Sequence, residues 1–201
     1  MNALRLHFMI SWRCVLRMTL LVVLDLNGVL LDSTHTKRPS IAEDAKARHK
    51  FVYYRPGMRD FISWIMANPA IRVGIWTSNI RANADALVEL IFTPDQRRKL
   101  AFVFSRDECL VFPDYTSQKP AQRVFSLGYD PRHTLFIDDS PEKVVHPLKH
   151  LFYVPVKTFE ATAGLANVDV GIDFMQRIIQ ARLLLLAGEA ANPNPGVNMP
   201  L

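Results

Sequence analysis

Apolar residues gather in five short runs: Leu20–Leu26, Ile71–Trp76, Ala101–Phe104, Thr134–Ile137 and Leu151–Val154. Each run is bounded by turn or helix signals and has the length of a strand. A continuous run, unlike an alternating one, predicts a strand buried on both faces, as in parallel sheets covered by helices. The segments between them predict helices over Met58–Ala67, Ile80–Phe92, Pro120–Leu127 and Pro141–Leu148. The last two open on proline, whose missing N–H costs nothing in a first helical turn. A final helix is predicted over Ile172–Leu186, where apolar residues at 172, 175, 178, 179, 183 and 186 keep close to helical period. Strands alternating with helices predict a doubly wound α/β fold with a mostly parallel five-stranded sheet.

Three segments stand outside that pattern. Residues 32–55 form a polar, Lys-rich insertion directly after the first strand. Residues 188–201, rich in Asn and Pro, predict a disordered tail. Residues 1–17 carry Arg5, Arg13 and Arg17 among Leu4, Leu6, Phe8 and Trp12, with no acidic residue. That composition matches a mitochondrial targeting segment; an upstream extension, with Met18 as the true start, is the competing reading. The folded unit is expected over 18–187.

Composition narrows the class. At 201 residues, 49% hydrophobic and 21% charged, the chain reads as one ordinary soluble globular domain. Its net charge of +5 is dispersed, with no Lys/Arg block interleaved with aromatics, so no direct nucleic-acid partner is expected. Cys14 and Cys109 make neither a disulfide framework nor a zinc motif, which fits a reducing compartment. No run approaches the roughly 20 apolar residues of a membrane span. The expected location is cytoplasmic or nuclear, with mitochondria the alternative if residues 1–17 are expressed.

Ligands of open parallel sheets bind at the carboxyl ends of the strands. The first run ends in Asp25-Leu26-Asn27-Gly28, the second in Trp76-Thr77-Ser78-Asn79 and the fourth in Asp138-Asp139-Ser140. Ser78, Asn79 and Ser140 would serve equally as helix caps. Asp25 is harder to dismiss, because a carboxylate closing Leu-Leu-Val-Val-Leu is costly without a cation or several donors.

Asp25-Leu26-Asn27-Gly28-Val29-Leu30 resembles the first motif of haloacid dehalogenase phosphatases, normally Asp-x-Asp-x-Thr/Val. Thr77, Lys119 and Asp138-Asp139 match the second, third and fourth motifs, in order. Tyr54-Arg55-Pro56-Gly57, Ile75-Trp76-Thr77-Ser78, Arg106 with Cys109, and Ile137-Asp138-Asp139-Ser140-Pro141 resemble one branch. That branch holds the RNA polymerase II C-terminal-domain phosphatases and their NLI-interacting-factor relatives, including the phosphatase-like receptor subunit of the mitochondrial presequence translocase. The resemblance implies a fold without a large cap, with residues 32–55 as a small flap. It implies Mg²⁺ held by Asp25, the Asn27 carbonyl and Asp139, with Asp138 behind or in substitution, as suits a cation wanting oxygen ligands. It implies Asp25 as nucleophile and Thr77, Ser78 and Lys119 as the phosphate-binding group, acting on a phosphoprotein.

Asn27 departs from the pattern. The Asp of active relatives protonates the leaving alkoxide and later activates water, and an amide does neither. A general acid–base is worth roughly 10²–10⁴-fold. The expectation is therefore a Mg²⁺-dependent Ser/Thr phosphatase weakened at Asn27. The alternative is an impaired pseudophosphatase or binding module, such as a translocase-like component.

Overall fold

The run Leu20–Leu24 forms β1, with all five side chains buried. A computed structural model describes residues 19–162 and 170–191 of the chain; segments 1–17 and 192–201 lie outside them. After β1 come β2 (Leu31–Thr34), β3 (Ala45–Ala47), β4 (Lys50–Tyr54), α1 (Met58–Ala67), β5 (Ile71–Trp76), α2 (Arg81–Ile91), α3 (Pro94–Lys99) and β6 (Val103–Phe104). The chain continues through β7 (Leu110–Val111), β8 (Ser117–Pro120), α4 (Gln122–Phe125), β9 (Thr134–Asp138), β10 (Val144–Val145), β11 (Tyr153–Pro155) and α5 (Gly171–Ala191).

The five apolar runs make one sheet in the order β11-β9-β1-β5-β6, parallel throughout. The alternation of a strand explains why β1 had to be apolar at every position. Leu20, Val22 and Leu24 pack against Phe61 and Ile65 of α1, Leu87 and Ile91 of α2, and Met175 and Ile179 of α5. Leu21 and Val23 face the opposite side, with Trp76, Val124, Phe136 and Phe152. Each such side chain contributes roughly 1.5–3 kcal/mol of burial, so β1 is fixed at the centre of the sheet. No helix among the described residues is long and apolar enough to cross a membrane.

Several local expectations change. Pro141–Leu148 is not a helix: the chain turns after Pro141, and Val144–Val145 form β10, paired in parallel with Lys119–Pro120. Two adjacent β-branched residues followed by Pro147 disfavour a helix, and pairing to β8 supplies the alternative. Pro120 accordingly ends a strand instead of opening a helix, and α4 is a short turn of helix over Gln122–Phe125. Helix α5 runs through Gly188 to Ala191, past the predicted start of the tail. One glycine costs about 1 kcal/mol in a helix, and the leucines and alanines around it tolerate that. Helix α3 was not anticipated, although its signals were present: Pro94 in the first turn and a Thr93–Gln96 capping box.

Residues 31–54 form a three-stranded antiparallel sheet, in the order β2-β4-β3. Asp32 pins it down: its buried Oδ2 accepts from Nε of Arg38 at 3.0 Å and from the Ala161 N–H at 3.1 Å. The flap is thereby tied to the segment that follows β11.

Candidate active site

Strand β1 stops because the next residues sort by polarity. Leu26, Val29, Leu30 and Leu31 are fully buried, so the tight turn they make leaves Asn27 and Gly28 to line the cleft. The turn closes with Gly28 N–H donating to Leu31 O at 2.8 Å and Leu30 N–H to Leu26 O at 2.9 Å. Gly28 has φ +81°, and a side chain there would collide with the Asp139 carboxylate. Glycine therefore lets two strand ends approach closely.

Asp25, Thr77 and Asp139, at the ends of β1, β5 and β9, line one cleft of about 300 Å³ with Asn27 and Ser78. Beneath it lies a buried charge cluster. The Lys119 ammonium donates to Asp138 Oδ2 at 2.6 Å and stands 3.0 Å from Asp25 Oδ1. The second contact is a close ion pair. Burial above all, with Asp138 adding to it and Lys119 opposing, pushes the Asp25 carboxyl up to about 6. Burial also pulls Lys119 toward neutrality, but Asp25 and Asp138 outweigh it and raise its pKa above the ordinary lysine value. Lys119 is held charged.

The two neighbouring aspartates divide their work. Asp138 is buried and saturated, since its other oxygen accepts the Ser140 N–H at 2.8 Å. Asp139 is half-buried and faces the cleft, with Ser140 Oγ donating to its Oδ1 at 3.1 Å. Carboxylate oxygens of Asp25, Asp138 and Asp139 lie within 4.8 Å of one another. Three carboxylates sharing one lysine leave negative charge uncompensated, and the oxygen donor set suits Mg²⁺. The residues fit such an ion.

Thr77 Oγ1 accepts from both the N–H and the Nδ2 of Asn79, at 3.3 and 2.9 Å. Its own hydroxyl hydrogen stays available to an anion. Asn27 is fixed by a residue that sequence reasoning missed: Ser33 donates to Asn27 Oδ1 from its N–H at 3.0 Å and from Oγ at 2.6 Å. With Oδ1 taken, the free end of the amide is Nδ2, a donor that cannot release a proton at neutral pH.

Arg55 was noted only as part of a resemblance, and it proves to be a buried clamp. Its guanidinium donates to Val29 O and to Lys157 O, both at 2.9 Å, and lies over the Phe159 ring. The turn carrying Asn27 and Gly28 is thus joined to the segment whose Thr158, Phe159 and Glu160 close the cleft.

A parallel sheet with an aspartate ending its central strand, a buried lysine beneath it and paired aspartates on the neighbouring strand is the arrangement that the resemblance to haloacid dehalogenase phosphatases leads one to expect. The sequence profile of the NLI interacting factor-like phosphatases matches residues 20–165, and the chain belongs to that family. Two solved structures share the fold at a TM-score of 0.51 and 16% identity. One is an arginine-to-alanine variant of the fission yeast RNA polymerase II CTD phosphatase Fcp1 bound to beryllium fluoride, aligned over 92% of this chain and 55% of that one. The other is described as Fcp1, an essential RNA polymerase II CTD phosphatase, aligned over 97% of this chain and 59% of that one. This chain spans less than two thirds of the length of either. No curated protein is similar enough in sequence to count as a relative.

Proposed function

We propose that this chain is a Mg²⁺-dependent phosphatase of phosphoserine or phosphothreonine in proteins, working through an aspartyl-phosphate on Asp25 and slowed by Asn27. The observation that carries this reading is the buried Lys119 pairing with Asp25 and Asp138 while Asp139 faces the cleft. Asp25, Asp139 and the Asn27 carbonyl would hold the ion, which supplies charge neutralisation between the carboxylates and the phosphoryl oxygens.

The Asp25 carboxylate attacks phosphorus: an O–P bond forms as the ester O–P bond breaks, and the leaving oxygen departs with its electron pair. At neutral pH a carboxyl with a pKa of about 6 is largely ionised, as a nucleophile must be. The Thr77 hydroxyl donates to a phosphoryl oxygen, and Lys119 keeps Asp25 aligned. The leaving alkoxide then needs a proton that Asn27 Nδ2 cannot give. The small flap supports a macromolecular substrate, because a domain-sized lid would exclude a protein side chain. The naming of the fission yeast relative as a phosphatase of a polymerase tail agrees with it.

The Ser33–Asn27 pairing favours a second reading, a module that binds phosphorylated protein and turns it over scarcely at all. An aryl phosphate and a phosphoserine peptide separate the two. A phenol, with a pKa near 10, leaves with little help from an acid, whereas a serine alkoxide does not. The expected result is slow aryl phosphate cleavage with a burst of phenol, very slow peptide cleavage, and a gain of ~10²-fold or more on the peptide in Asn27→Asp. Brisk wild-type peptide hydrolysis that Asn27→Asp does not improve would place the acid elsewhere. No turnover by either protein would leave the binding reading.

A further inference from the structure

Four carboxylates line the cleft, those of Asp25, Asp32, Asp139 and Glu160, against two cations, Arg38 and Lys143. Arg38 is spent: two of its nitrogens hold Asp32 Oδ2, at 3.0 and 2.8 Å. Lys119 is spent as well, buried between two aspartates and absent from the lining of the cleft. At the rim, Lys50 Nζ lies 3.3 Å from Asn79 Oδ1. That leaves Lys143, whose ammonium makes no hydrogen bond or ion pair among the described residues.

The backbone of Lys143 is held on both sides. Its N–H donates to Ser140 O at 3.0 Å, and its carbonyl accepts the Lys119 N–H at 2.6 Å. The next residue, Val144, is buried and pairs with Lys119 in the β8–β10 ladder. Lys143, a half-buried residue whose ammonium is uncommitted, thus stands on a fixed main chain in the lining of a carboxylate-rich cleft. An incoming phosphoryl dianion meets repulsion from those carboxylates, and Lys143 is the cation there with nothing else to satisfy. Lysine is a point charge with three rotatable donors, which suits an anion of variable orientation.

We propose that Lys143 is the substrate-anchoring cation of this cleft, binding the phosphoryl oxygens and selecting dianionic phosphomonoesters over singly charged esters. The inference rests on the phosphatase reading above, but it concerns binding and is tested apart from turnover. Inorganic phosphate is titrated by ³¹P NMR with Mg²⁺ present, against wild type, Lys143→Met, Lys143→Arg and Lys99→Met. Lys99 is exposed on α3, so its variant carries the same change in net charge away from the cleft.

Lys143→Met should bind phosphate about 10- to 100-fold more weakly, the range for losing a hydrogen bond between charged groups. Lys143→Arg should stay near wild type, and Lys99→Met should be unchanged. With aryl phosphate, KM should rise in Lys143→Met while kcat changes little. Phosphate should lose most of its advantage over a singly charged competitor such as dimethyl phosphate. If Lys143→Met binds phosphate within about twofold of wild type, Lys143 is not the anchor, even in an active phosphatase. If kcat falls while phosphate binding holds, the residue acts otherwise and the assignment is wrong. If the wild type binds no phosphate at all, this inference falls together with the phosphatase reading.

Discussion

Replacing Lys119 with methionine asks whether charge balance is what holds the end of the sheet together. The ammonium lies 2.6 Å from Asp138 and 3.0 Å from Asp25, and all three side chains are almost wholly buried. Methionine retains much of the volume, so the substitution removes charge and opens little cavity. Two carboxylates are then left facing each other in a site with poor access to water. Stranding a buried charge by deleting its partner costs about 3–5 kcal/mol. For a chain of this size each kcal/mol lowers Tm by roughly 2–4 °C, so the expected loss at neutral pH is about 6–20 °C. The loss should depend on pH in a definite direction. Like-charged carboxylates sharing a site raise one another's pKa, and without the lysine one of them takes up a proton readily. The variant's deficit therefore narrows as pH falls toward about 5. Circular-dichroism melts across pH, without Mg²⁺, would test this beside the double variant Lys119→Met/Asp138→Asn. With one buried charge fewer, the double variant should regain at least half of the loss. A Lys119→Met protein melting within about 3 °C of wild type, or with a deficit that ignores pH, would show that the lysine contributes packing and not charge balance.

Four further outcomes are expected. In the metal-free protein Asp25 holds its proton more tightly folded, at about 6, than at its ordinary value of 3.8. Its contribution to stability is therefore complete below about pH 4 and lost by just above pH 6, roughly 3 kcal/mol in all; guanidinium titrations of Asp25→Asn should lack that slope. Asp139→Ala should weaken Mg²⁺ binding by calorimetry without unfolding the protein, and unchanged affinity would remove Asp139 from the ion's ligands. Gly28→Ala combines a positive φ with a collision against Asp139, so it should impair Mg²⁺ binding more than Asp32→Asn, which leaves that approach open. Arg55→Lys keeps the charge but loses the fork that bonds Val29 O and Lys157 O; it should cost about 1–3 kcal/mol in chemical unfolding, and an unaffected midpoint would mean that the turn holds itself.

Which parts of this arrangement the sequence revealed follows from what each part depends on. All five strands of the main sheet were legible, because clusters of apolar residues survive without knowledge of their partners, whether wholly buried as in β1 and β9 or half-buried at the edges as in β6 and β11. Asp25, Thr77 and Asp139 were legible for a related reason: a polar residue that ends a wholly apolar run has few structural excuses. Lys119 was not legible in that way. Its strand, Ser117–Pro120, has no apolar pattern, and it exists because Val144–Val145 pair with it across more than twenty intervening residues. The same non-local pairing defeated the helix expected at Pro141–Leu148, where a proline in a favourable first position outweighed Val144, Val145 and Pro147. Ser33 and Arg55 show the limit from another side. Each is an ordinary residue in an ordinary place, and its role comes from aiming a donor at a main-chain or amide oxygen supplied by a distant turn. Sequence therefore exposes the groups that would carry the chemistry, through their cost of burial, and hides the groups that orient them. On the proposed mechanism the departure at Asn27 would matter for that reason: Ser33 holds the amide in one orientation, so the missing proton would be a property of a built site and not of a loose side chain. A replacement acid would have to reach the leaving oxygen from elsewhere on the cleft wall. The flap carboxylate already there, Asp32, is committed to Arg38 and the Ala161 N–H.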